Sequence, residues 1–124
     1  MSVLTKSNIF SLVDLPQKTV KVPEWKGEVI IRAMDGKARD EWDRFTSRRQ
    51  LEAMERKDVV IDNDSMKATL LVLSCIDEEG NLLFTKEDMD KLQDKNGQVI
   101  DRLADVAGAL SGIRSIDAED AEKN

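Results

Sequence analysis

The chain contains no histidine and no tyrosine, which removes the commonest general base and the commonest transition-metal ligand together. Its one cysteine, Cys75, lies in the apolar run Met66 to Ile76 with no candidate base beside it. That is the setting of a buried, inert thiol rather than a nucleophile. Gly108 and Gly112 interrupt a helical pattern and follow no strand, so they do not form a phosphate-cradling loop. These residues argue against an enzyme and imply no cofactor. The one pattern with metal-binding character starts at Asp77, where oxygen side chains recur at Asp77, Glu79, Asn81, Thr85 and Asp88, with Phe84 at the apolar position of an EF-hand. An EF-hand also needs glycine at its sixth position and a bidentate Glu at its twelfth. This chain has Leu82 and the shorter Asp88 there. A tight acidic turn before a capped helix accounts for the same residues, leaving a calcium-binding module as the alternative.

Two further groups are candidates for binding rather than catalysis. Arg44, Arg48, Arg49, Arg56 and Lys57 are interleaved with Asp40, Asp43, Glu52 and Glu55, and Asp40 to Arg44 and Glu52 to Arg56 have the spacing of intrahelical pairs. The group therefore reads as a self-compensated, solvated face. Trp25 falls at a hairpin tip, where it either folds back over the core or stands exposed as an anchor for a partner. A net charge of -6 repels phosphate backbones and anionic membrane surfaces, so neither nucleic acid nor membrane is an expected partner. No stretch has the blocks of a signal peptide or the length of an apolar membrane span, and the lone cysteine forms no internal disulfide. The cytoplasm is the expected location.

The elements that must position these residues follow from hydrophobic period. The length of 124 residues, with 40% hydrophobic, 35% charged and 4% aromatic residues, gives one small domain whose core rests on aliphatics. Residues 1–16 read as an arm with a short helix, capped by Ser7, whose Ile9, Phe10, Leu12 and Val13 are expected to dock on a hairpin. Residues 17–34 read as that hairpin: Val20 and Val22 share one face, Val29, Ile31 and Ala33 another, and Pro23 and Gly27 bracket the turn, with Gly27 free to take positive φ. Asp35 caps a helix over about 37–57, with Ala38, Trp42, Phe45 and Ala53 on one stripe. Leu51 and Met54 fall on the other side. Either this helix bends near Arg48-Arg49, or it carries a second apolar surface for another chain.

After a linker in which Val59-Val60-Ile61 forms an extended piece, helices are expected over about 64–77, 85–94 and 97–111, closing a single α+β domain over 17–113. The run Met66 to Ile76 is apolar around most of the wheel; a strand competes, but its Met, Lys, Ala and Leu content favours a core helix. The last helix aligns Val99, Leu103, Val106 and Leu110, and Gly112 stops it. Residues 114–124 read as a disordered acidic tail. The fold class is thus α+β and mostly helical, an N-terminal β-hairpin followed by a small bundle of about four helices.

The order of Leu15-Pro16, the hairpin with Val22-Pro23-Glu24-Trp25, Gly36-Lys37-Ala38-Arg39-Asp40-Glu41-Trp42, and the apolar helix running into Cys75-Ile76-Asp77-Glu78-Glu79-Gly80-Asn81 resembles the tail assembly chaperones of long-tailed bacteriophages. The resemblance spans about Leu15 to Gly112 and rests on the succession of pieces, not on one signature. It implies a protein of the infected or lysogenic bacterial cytoplasm that binds and solubilises the helical tape measure protein, helps tail tube polymerisation and is absent from the mature virion. It also implies a possible homo-oligomer, ring or spiral, and a longer, frameshifted form that recruits the tail tube protein. Trp25, Leu51 and Met54 are the apolar residues left over for such a partner. A small accessory factor acting on DNA, the remaining alternative, predicts salt-sensitive DNA binding. If Glu122-Lys123-Asn124 is encoded as GAA-AAA-AAC, the message carries an A-rich slippery run; sequencing of the coding DNA is expected to show it, and a Lys123 codon ending in G excludes it.

Overall fold

The computed structural model describes residues 3–55 and 63–113. The fold is α+β and mostly helical. In chain order it comprises α1 (Lys6–Ser11), β1 (Gln17–Val22), β2 (Gly27–Arg32), α2 (Gly36–Glu55), α3 (Asn63–Ser74), β3 (Cys75–Ile76), α4 (Met89–Gln93) and α5 (Gly97–Leu110), with 3₁₀ turns at Pro23–Trp25 and Lys86–Asp88. The extended piece read at Val59-Val60-Ile61, the Glu52 to Arg56 pair and the acidic tail lie outside the described residues.

β1 and β2 pair antiparallel from Gln17↔Arg32 to Val22↔Gly27. Their inward residues are the ones the period of two selects: Val20, Val22, Ile31 and Ala33 are buried, and Val29 packs against the core. The turn differs from expectation in one respect. Lys26, not Gly27, takes the left-handed conformation, at φ 60, because Pro23–Trp25 forms a 3₁₀ turn whose last carbonyl-to-amide bond closes on Lys26 and the chain must then reverse before the ladder starts.

The apolar run Met66 to Ile76 resolves into both of its competing readings. It is helical through Ser74, with Ala68 and Leu71 fully buried, but the helix does not reach residue 77. Cys75–Ile76 instead adds a third strand to β2, pairing Ile31↔Cys75 and Ile30↔Ile76. The cause lies downstream: the Asp77 carboxylate accepts from the amides of Glu79 and Asn81 at 2.9 and 3.0 Å, Gly80 takes φ 89, and the chain turns back so that the Leu83 amide donates to the Cys75 carbonyl. A helix continued to Asp77 would forfeit that turn and leave the β2 edge unpaired.

The core is a single cluster in which Leu71 of α3, Val99 and Leu103 of α5, and Val22 and Ile31 of the sheet are among the fully buried side chains. Trp42 is the one buried aromatic, so the core is aliphatic, as the composition requires. α5 ends in a Schellman motif, with Ile113 donating to Gly108 at 2.7 Å and Gly112 to Ala109 at 3.3 Å while Gly112 holds φ 72. A Cβ on Gly108 would lie 3.0 Å from the Ile113 carbonyl oxygen, so glycine lets this closure form. The Ser111 hydroxyl then accepts from the Met34 amide at 2.9 Å, and Arg39 donates to the Ser111 carbonyl at 2.8 Å. The end of α5 is thereby tied to the junction between β2 and α2.

Two substitutions separate packing from polar burial. Leu71→Ala empties a fully enclosed site and is expected to lower unfolding free energy by about 2–5 kcal/mol. Ser74→Ala removes a buried hydroxyl that has no hydrogen-bond partner among the described residues and is expected to leave stability unchanged or raise it. Urea unfolding measures both; a loss under about 1 kcal/mol at Leu71, ordinary for a surface position, would contradict this core.

Candidate partner-binding surface

α2 starts as the sequence dictates. The Asp35 carboxylate accepts from the Ala38 amide at 2.8 Å, capping the first turn. Ala38 and Trp42 are buried against the bundle, and Phe45 follows at a ring separation of 5.8 Å from Trp42. Arg49 covers the other side of Phe45, 5.5 Å from its ring, a cation–π contact that ends the packed stripe. Beyond it α2 runs unbroken to Glu55. Leu51 is 56% and Met54 75% exposed, while Ala53 is half-buried. The helix is continuous through Arg48-Arg49, and Leu51 and Met54 are left outside the core.

Trp25 takes the folded-back position: it is half-buried and packs against the core. The residue that holds it there escaped the sequence reading. Glu24 accepts two bonds from the Arg102 guanidinium, at 3.2 and 2.6 Å, pinning the hairpin tip to α5. Arg102's hydrogen bond holds the Glu24 carboxyl below the usual carboxylate range, and Glu24 in turn raises Arg102. Sequence offers no signal for a pair this far apart beyond an Arg on the polar edge of the α5 stripe.

The charged face of α2 pairs differently from expectation. Arg44 bonds Glu41 at 2.8 Å instead of Asp40, and Arg39 approaches Asp43 at 3.6 Å. Glu41 is drawn aside because it also receives Lys86 at 3.1 Å, a tertiary bond that ties α2 to the turn before α4. Arg44 first, then Lys86, lowers the Glu41 carboxyl below its usual range.

The oxygen side chains from Asp77 to Asp88 are not brought together. The Asp77 carboxylate faces the amides of its own turn, and Asp88 accepts from the Thr85 amide at 2.8 Å as the acidic half of a capping box. Among the described residues no group of three or more carboxylates and thiols is arranged to hold a metal ion. Cys75 is fully buried, and burial pushes its thiol up to about 12, so at neutral pH it carries no thiolate.

A second group of exposed apolar residues lies in the arm. α1 is capped by Thr5, not Ser7: Thr5 Oγ1 accepts from the Asn8 amide and Asn8 Oδ1 from the Thr5 amide, both at 3.1 Å. None of its residues is buried. Ile9 is 50%, Phe10 80%, Leu12 59% and Val13 96% exposed, so the expected docking on the hairpin is not found. The inward face of the hairpin is already filled by α3 and α5.

Two groups of exposed apolar side chains thus lie outside the core, Leu51 and Met54 on α2 and Ile9, Phe10, Leu12 and Val13 in and after α1. The family model for the phage tail assembly chaperone matches residues 11–124. The chain belongs to that family. Among solved structures, the tail assembly chaperone of bacteriophage HK97 is similar in fold, with a TM-score of 0.56 at 23% identity over 85% of this chain and 89% of that one. No curated protein matches the sequence. Among the described residues no helix is long and apolar enough to cross a membrane.

Proposed function

We propose that this chaperone binds the tape measure protein in the host cytoplasm, keeps it soluble, and yields it as tail tube subunits polymerise, so that it is absent from the mature virion. The observation that carries the reading is the outer half of α2, where Leu51 and Met54 face solvent on a helix whose first half is anchored in the core. A very long helix with an exposed apolar stripe aggregates unless a partner covers it. Two outward apolar side chains three residues apart present a helix face that can pack against such a stripe. The net charge of -6 keeps the resulting complex dispersed. Trp25, half-buried, adds at most its outer edge. A longer, frameshifted form would recruit the tail tube protein to the same complex.

Co-expression with the tape measure protein encoded beside it tests the reading. The wild-type chain is expected to hold the tape measure protein in the soluble fraction and to copurify with it. Leu51→Asp and Met54→Asp place a charge on the proposed contact and are expected to abolish copurification while leaving the chaperone folded, since neither residue is buried. An insoluble, unbound tape measure protein alongside the wild-type chain would overturn the function. Undiminished binding by both variants would move the contact off α2.

A further inference from the structure

A six-residue helix does not sustain itself in water; helices under about 12 residues need a surface to pack on. Yet Phe10 and Val13 are almost fully exposed. Beside the root of the arm lies a shallow depression of about 350 Å³, apolar at its floor and lined by Lys18, Asp105, Val106, Ala109 and Leu110. Its position follows from three pairings: the Pro16 carbonyl accepts from the Ala33 amide at 2.9 Å, Gln17 stands opposite Arg32 in the β1–β2 ladder, and the Ser111 hydroxyl accepts from the Met34 amide. The arm enters β1, and α5 ends, at one edge of the sheet.

We propose that the arm is a strap that closes in cis over this depression, seating Phe10 on Val106, Ala109 and Leu110. Both α1 and α5 run toward the shared edge, so the strap lies parallel to α5. Lys6 stands one helical turn before Phe10, and Asp105 one turn before Ala109. Placing Phe10 against Ala109 therefore sets Lys6 opposite Asp105. Asp14, at the other end of the strap, falls beside Lys18. A tether of a few residues keeps the strap at an effective concentration of about millimolar, which favours its own groove over that of a second molecule. Closure removes the exposed apolar arm from water and lowers the hazard of a sticky surface before the client is met.

Crosslinking decides the point. Lys6→Cys and Asp105→Cys substitute exposed surface positions that closure brings opposite each other while Phe10 and its seat stay in place, and the native Cys75 is buried and unreactive, so the engineered pair reports cleanly. Mild oxidation of the full chain is expected to give a monomeric disulfide, about tenfold faster than in a control pairing Lys6→Cys with Lys86→Cys. Adding Phe10→Ser, which removes the apolar anchor, is expected to slow it several-fold. A disulfide found only in dimers would overturn the strap and assign the groove to a second copy. A rate equal to the control would overturn it outright. Because no client is present, either result stands apart from the tape measure reading.

Discussion

α3 lies at the centre of the domain's packing. It packs on α5, α4, α2 and β2, and then becomes the third strand. With a single buried tryptophan and no other buried aromatic, the domain has little apolar volume to spare, and the aliphatic face of α3 supplies the common wall. α2 gives its first half to the core, where Ala38 and Trp42 are buried. β3 is short because the Asp77 turn begins two residues after α3 ends.

What was legible in the sequence was local. The hairpin faces, the Asp35 cap and the α5 stripe are each set by residues within a turn or two of one another, and periodicity reports them directly. What was not legible depended on residues far apart. The left-handed Lys26 follows from a 3₁₀ turn that Pro23 permits but does not announce. The end of α3 is decided by the Asp77 turn and the open edge of β2, not by the apolar run itself. Arg44 turns to Glu41 because Lys86, distant in sequence, draws that carboxylate as well. The arm departs from expectation for a related reason: its apolar residues match the hairpin in character, but α3 and α5 fill that face. At the candidate surface, the out-of-stripe positions of Leu51 and Met54 were visible in the sequence, whereas the Glu24–Arg102 bond that fixes Trp25 was not.

The described domain thus leaves two sets of apolar side chains outside its core, in the outer half of α2 and in the arm. Among the described residues the ion pairs from Arg39–Asp43 to Arg102–Glu24 lie at the surface, where each contributes little alone. They serve instead to set the position of the hairpin tip on α5 and of α2 on the turn before α4. A domain stabilised by packing, with the residues proposed to bind the client outside its core, would gain and release that client without unfolding.

Hydrogen exchange of the chaperone, free and bound to the tape measure protein, tests this division most directly. Amides in residues 46–55 are expected to gain strong protection in the complex while those of α3 and α5 keep the slow exchange they already have. Protection that leaves 46–55 unchanged, or a complex in which α3 and α5 exchange faster than in the free protein, would contradict it.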